Sequence, residues 1–229
     1  MPDERTTMHA RYGRGVVAII AATLITLAHA VFAAAAPAAP QNGDIVLFAK
    51  NAAPVTGAWS QVADTSAAGG TRIATADAGM PKLSTPAAAP GSYFEIPFTA
   101  EPGRAYRLWI RARAENDSWQ NDSVFVQFSG SLDSGGAPTF RIGTTSATVV
   151  SLEESSGAGV AGWGWQENGY GANVYGPAIY FDGAAQKIRL QLREDGMSID
   201  QIVLSPVNFA TAAPGAAKND TTILKDRNR

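Results

Sequence analysis

Tyr106-Arg-Leu-Trp-Ile-Arg-Ala-Arg113 sets Tyr106, Leu108, Ile110 and Ala112 against Arg107, Trp109, Arg111 and Arg113. Strict alternation of this kind is the period of a β-strand, with one face toward a core and the other toward water. Moving outward, Ile188, Leu190 and Leu192 alternate in the same way with Arg189, Gln191 and Arg193. Asp44-Ile-Val-Leu-Phe-Ala49, Ser123-Val-Phe-Val-Gln-Phe128 and a last run holding Ile199, Ile202 and Leu204 are further short apolar stretches. No window carries apolar residues at helical spacing. Gly69-Gly70, Pro90-Gly91, Pro102-Gly103, Gly135-Gly136 and Gly176-Pro177 punctuate the chain. Short strands between such turns predict an all-β sandwich or barrel.

The two ends read differently. Arg5, Arg11 and Arg14 precede an uncharged run from Val16 to Ala30, and small residues follow at Ala28-His-Ala30 and Ala33 to Ala36. A basic start, a short apolar middle and an A-x-A site form the pattern of a secretory signal peptide over residues 1–36. An uncleaved anchor is the alternative, since Val16 to Ala36 approaches the length that spans a bilayer. The expected location is therefore secreted, periplasmic or at the cell surface, with no membrane span once the leader is cleaved. Residues 37–43 read as a linker, and 207–229 as a flexible C-terminal tail poor in large apolar groups. The body is then 44–206, one domain long enough for a real core.

Composition excludes several kinds of chemistry. The chain carries a net charge of −2, and the leader would remove three arginines and only Asp3 and Glu4. A mildly acidic remainder does not suit a nucleic-acid binder, which needs a basic face. There is no cysteine, and both histidines, His9 and His29, lie in the leader. Triad catalysis and the usual zinc sites are thereby removed. A carboxylate-dependent glycoside hydrolase or lyase remains conceivable, but few groups are left that titrate near neutrality.

Four ordered stretches carry a resemblance: Ala67-Ala-Gly-Gly70; Gly91-Ser-Tyr-Phe-Glu-Ile96 with Pro102-Gly-Arg-Ala-Tyr-Arg-Leu-Trp-Ile-Arg111; Gly162-Trp-Gly-Trp165; and Gln186-Lys-Ile-Arg-Leu190 with Ser198-Ile-Asp-Gln-Ile-Val-Leu204. Together they make residues 44–206 resemble a carbohydrate-binding module of the family 6 and family 35 type. The resemblance implies a jelly-roll β-sandwich of the galactose-binding-like group, a polysaccharide or oligosaccharide ligand, no catalysis of its own and, in many members, a partner enzyme. It also implies a structural calcium, with Asp200 as a retained ligand. Three positions depart from the family pattern: Lys50 stands where many members have a glutamate ligand, Ser198 where many have asparagine, and Ala112 where a stacking tyrosine is common.

A sugar site needs a flat aromatic face for axial C–H groups and a few oriented polar groups for hydroxyls. Two loops offer both, Glu115 to Ser123 and Gly162 to Gly171, and the resemblance implies that both lie near one edge of the sandwich. The candidate carbohydrate-binding residues are Glu115, Trp119, Asn121, Trp163, Trp165, Gln166 and Tyr170. Trp119 sits among polar residues and is the best exposed ring. Trp163 and Trp165 point the same way along an extended chain, which serves a core as well as a ligand. Trp59 and Trp109 read as packing residues. Candidate calcium ligands are Asp200, Asp117 and Asp122, hard oxygen donors; the Asn-Asp-Ser groups at 116–118 and 121–123 also suit ordinary turns. Glu153-Glu154 and Glu194-Asp195 read as solvated turn charges. The rival function is an extracellular structural or adhesion module that docks another protein on the same sandwich.

Overall fold

The computed structural model describes residues 43–225; the leader and nearly all of the linker lie outside them. Among the described residues there are twelve strands, a few 3-10 turns and no α-helix. No helix among them is long and apolar enough to cross a membrane.

One sheet runs β2 (Ser60–Ala63), β3 (Thr71–Ala74), β12 (Met197–Ser205), β5 (Arg107–Ala114), β9 (Gly164–Glu167), with β1 (Ile45–Phe48) also paired to β12. The second runs β4 (Tyr93–Thr99), β11 (Ala185–Leu192), β6 (Ser123–Phe128), β8 (Thr148–Ser151). A short ribbon joins β7 (Ser131–Leu132) to β10 (Tyr180–Phe181). Every pairing is antiparallel. The chain passes repeatedly from one sheet to the other, as in a jelly roll. The all-β sandwich expected from the alternation is what forms.

Leu108, Ile110 and Ala112 of β5 face inward with Ile45, Leu47, Ile73, Ile199, Ile202 and Leu204. They meet Phe94, Ile96, Phe98, Val124, Val126, Phe128, Ile188 and Leu190 of the other sheet. Tyr106, Phe98 and Phe128 cluster around Phe181, with ring centroids 5.3 to 5.6 Å apart. That geometry adds edge-to-face attraction to simple burial.

The other face of β5 does not meet water. Residues 207–225, read from sequence as a flexible tail, lie across it as an ordered strap. Their own composition is poor in apolar groups, but the sheet beneath offers donors. Trp109 Nε1 donates to Phe209 O at 2.7 Å and Arg107 Nε to Ala210 O at 3.3 Å. Arg111 Nη2 donates to Asp220 O at 3.2 Å, and Gln201 exchanges two bonds with the Leu224 backbone. Phe209, Ala213 and Leu224 pack on a second apolar cluster of Val46, Phe48, Ala68, Trp109, Trp165 and Val203. The strap also pairs with the β9 edge, through Trp165 N to Ala216 O and Asp220 N to Trp163 O. It comes so near that a Cβ on Gly164 would sit 1.8 Å from Ala217 O, which only glycine avoids. Alternation along β5 therefore marks two buried faces rather than one.

At the centre of that outer face Arg111, 1% exposed, contacts the carboxylate of Asp200, which is wholly buried. The register of β12 on β5 slips between Ile199 and Gln201, so Asp200 stands at a bulge. Arg111 and Arg113 both stack on the Trp163 ring, each guanidinium carbon 4.8 Å from its centroid. On the second sheet, Lys187 and Arg189 both pair with Glu95. Burial pulls the Glu95 carboxyl up, but its bonds and charge attraction to Arg189 and Lys187 outweigh this and hold it below its usual range.

Candidate functional site

The loop from Glu115 to Asp122 is pinned before it presents anything. Asn121 is buried; its Nδ2 donates to Glu115 O at 3.2 Å, and its side chain fills the notch left by Gly196. Gly196 has φ +74°, and a Cβ there would come within 2.6 Å of the Asn121 amide. Glu115 N donates back to Gly196 O at 2.8 Å. Ser118 Oγ accepts from Gln120 N at 3.2 Å and starts a 3-10 turn over Trp119–Asn121. A rigid turn thus carries an unsupported ring: Trp119 is 58% exposed.

Tyr170, on the loop after β9, is 56% exposed. Trp119 and Tyr170 line one cavity of about 410 Å³, with Val149, Ser151, Glu153, Asn168, Asp122, Lys82 and Arg193. That volume is in the range of small-molecule sites, roughly 300–1,000 Å³. Two rings and several polar groups thus converge on one hollow.

The other candidates are placed elsewhere. Glu115 turns away and accepts from Asp77 N at 3.3 Å. Trp163 is buried over the arginines, its Nε1 donating to Ser66 Oγ at 3.0 Å. Trp165 is 1% exposed beneath the strap and donates to Thr222 O at 3.2 Å. Gln166 is buried, with Nε2 3.4 Å from Leu152 O. Both tryptophans are buried away from the cavity, Trp163 against Arg111, Arg113 and Ser66 and Trp165 beneath the strap. Trp59 and Trp109 are packed: Trp59 meets Phe94 edge-on in the core and Trp109 lies under the strap.

The buried acids packed beside this cavity were not foreseen. Glu194 and Asp195, read as solvated turn charges, are both buried. Glu194 accepts from Ser123 Oγ and meets Lys82 Nζ at 2.8 Å, while Arg193 Nη1 is 3.7 Å away. Asp195 Oδ2 accepts from Ala78 N and Met80 N and so anchors the loop that brings Lys82 in. Asp122 accepts from Glu153 N at 3.1 Å and Ser151 Oγ at 3.3 Å. Burial, then the hydrogen-bonded Glu194 carboxyl and its charge, push the Asp122 carboxyl up to about 7. Asp122 is therefore held partly protonated near neutral pH.

A stability consequence follows. The folded pKa of Asp122 lies above its unfolded value near 3.8, so its contribution is fully present below about pH 4 and fades as pH rises through 7. Each unit of difference is worth about 1.4 kcal/mol at most. Asp122→Asn keeps both acceptor contacts and offers Glu194 a permanent donor. Denaturant titrations at mildly acid and mildly alkaline pH are expected to show a smaller loss of stability for the variant than for the parent. Equal losses would mean that Asp122 takes up no proton on folding.

The implied calcium does not fit the residues present. Asp200 Oδ2 is taken by the Arg111 guanidinium and by Ala68 N at 2.7 Å, so a cation already stands at its carboxylate. The Lys50 side chain lies over Gly69, where a Cβ would come within 2.8 Å of Nζ. Asp117 accepts from Gly162 N, and Asp122 is engaged as described. Among the described residues no three acidic side chains gather around one point. Burial raises the Asp200 carboxyl to about 6, against the Ala68 N–H and Arg111 that favour its charge.

No protein-family model matches this chain, and no curated protein does. Among solved structures it is similar to the GH26-CBM35 β-(1,4)-mannanase of Podospora anserina, at 13% identity and a TM-score of 0.42, over 72% of this chain and 28% of that one. It is similar to a family 35 carbohydrate-binding module from Clostridium thermocellum, at 15% identity and a TM-score of 0.36, over 70% of this chain and 97% of that one. A third is the C-terminal CBM6 of a marine laminarinase from Zobellia galactanivorans, at 13% identity and a TM-score of 0.40, over 71% and 98%. The chain spans little more than a quarter of the mannanase.

Proposed function

We propose that the protein binds carbohydrate without transforming it, in the cavity between Trp119 and Tyr170. The carrying observation is the convergence of two half-exposed rings on a hollow that also holds Ser151, Glu153, Asn168 and Arg193. Rings held out on pinned loops suit the C–H face of a pyranose, and the polar groups suit its hydroxyls. The leader read at residues 1–36 supports action outside the cytoplasm, where polysaccharide is found; a partner enzyme would act on the bound chain.

The carboxyl pair argues against hydrolysis by this site. Glycoside hydrolases hold two carboxyls about 5–9.5 Å apart on either side of the scissile bond. Here Asp122, in the cavity wall, is hydrogen-bonded to Glu194, which does not line that cavity, so the two cannot flank a bound sugar. Ala112 and Ser198, which depart from the sugar-site pattern, would suit the adhesion reading, but the groove beside Trp119 favours a sugar instead.

An array of β-glucans, mannans, galactans and dextrans probed with the protein tests the proposal. Trp119→Ala, on an exposed ring, is expected to fold normally and to lose about 2 kcal/mol of binding, some thirtyfold in affinity, as truncation of an aromatic anchor does. Retention of only some glycans identifies the sugar class. No binding to any of them would overturn the proposal.

A further inference from the structure

A second cavity, of about 350 Å³, also borders Trp119 and is lined by Asp77, Met80, Pro81, Gln120, Asn121 and Asp195 among others. It shares two walls with the first: Trp119 and Lys82 border both. From these we infer that Trp119 is the crest between two subsites and that the ligand is an internal run of a polysaccharide chain lying across the indole, not a chain end. The inference rests on the carbohydrate reading above and specifies which part of a glycan is held.

Three observations carry it. First, the second hollow is built, not a gap beside a loose loop. Ala78 N and Met80 N both donate to the buried Asp195 carboxylate, at 2.6 and 3.1 Å, and Leu83 N donates to Arg193 O at 2.9 Å. Second, it repeats the chemistry of the first. Met80, 44% exposed, offers an apolar face beside the polar Asp77 and Gln120, as Tyr170 does beside Ser151 and Asn168. Third, the floor is continuous: Asp122 faces one cavity and Glu194 the other, with Lys82 tied to Glu194 at 2.8 Å between them. A pocket for a terminal sugar closes around one ring, whereas two hollows that share an exposed indole leave both ends of a chain free.

Titration calorimetry with glucose, mannose and galactose and their β-linked oligosaccharides, up to the hexasaccharide, tests this. For whichever sugar binds, affinity is expected to rise about tenfold or more from the monosaccharide to the tetrasaccharide and then to level off. Met80→Ala and Gln120→Ala should each weaken the long ligands severalfold and leave the shortest unchanged, while Tyr170→Ala weakens all lengths. A monosaccharide that binds as tightly as the tetrasaccharide would overturn the inference but leave carbohydrate binding standing. So would long ligands unaffected by both second-cavity variants. Failure of the parent protein to bind any member of the series or of the array would overturn the carbohydrate reading itself, and this inference with it.

Discussion

Replacing Arg111 by alanine is expected to destabilise the protein by about 3–5 kcal/mol, because it leaves the Asp200 carboxylate buried without its cation. At roughly 2–4 °C per kcal/mol for a domain of this size, thermal unfolding should move down by about 6–20 °C. The effect is large because one guanidinium serves three partners. It meets Asp200, donates to Asp220 O of the strap and stacks on Trp163. Lysine at this position should not rescue, since a point charge cannot reproduce a planar fork that stacks and bonds on two sides. The defect should deepen as pH rises through 6. Asp200 already has a folded pKa above its unfolded value, so its stabilising contribution is lost in that direction. By contrast, Arg111→Met combined with Asp200→Leu should recover much of the loss, because an apolar pair of similar volume needs no compensation. Denaturant melts of the three variants check this. A loss below about 1 kcal/mol for Arg111→Ala would mean that water reaches Asp200.

Ending the chain after Pro206 should have an effect of the same order. The outer cluster would lose Phe209, Ala213 and Leu224 as cover, and two indoles, Trp109 and Trp165, would meet water. Exposing large buried side chains costs about 1.5–3 kcal/mol each, so these two alone, about 3–6 kcal/mol, reach the lower end of the stability of a typical domain, about 5–15 kcal/mol. Dye binding to exposed apolar surface and a lower denaturation midpoint are the expected readouts. A shortened chain with an unchanged midpoint and no dye binding would show that the strap lies on the sheet without contributing to it.

The sandwich was legible because strand periodicity is a local property. Leu108, Ile110 and Ala112 announce a core face whatever lies elsewhere in the chain. The exposure of Trp119 was equally local, since a ring among polar turn residues has little to pack on. What failed were inferences about the second face. Arg107, Trp109, Arg111 and Arg113 look like a wet side, and only a segment a hundred residues away, itself poor in apolar groups, decides otherwise. Trp165 was lost to the site for the same reason, and Trp163 because it packs on Arg111 and Arg113. Glu194 looked like a turn charge because its partners, Lys82 and Ser123, are remote in sequence. Lys82 itself carries no local signal, which is why the floor of the groove emerged only from the three-dimensional arrangement.

The central place of β12 has a further consequence for how the molecule is made. This strand pairs with β5 on one side and with β1 and β3 on the other, Ile45 opposite Leu204 and Ile73 opposite Ile199. It is also the last strand of the described chain. During vectorial synthesis β1 therefore has no strand to pair with, and the β2–β3 hairpin no sheet to join, until almost the whole domain has emerged. Pairings between such distant segments form slowly, since a long loop must close before any bond rewards it. The nascent chain should thus stay open and dependent on chaperones late into translation, then fold in one concerted step once residues near 205 are free.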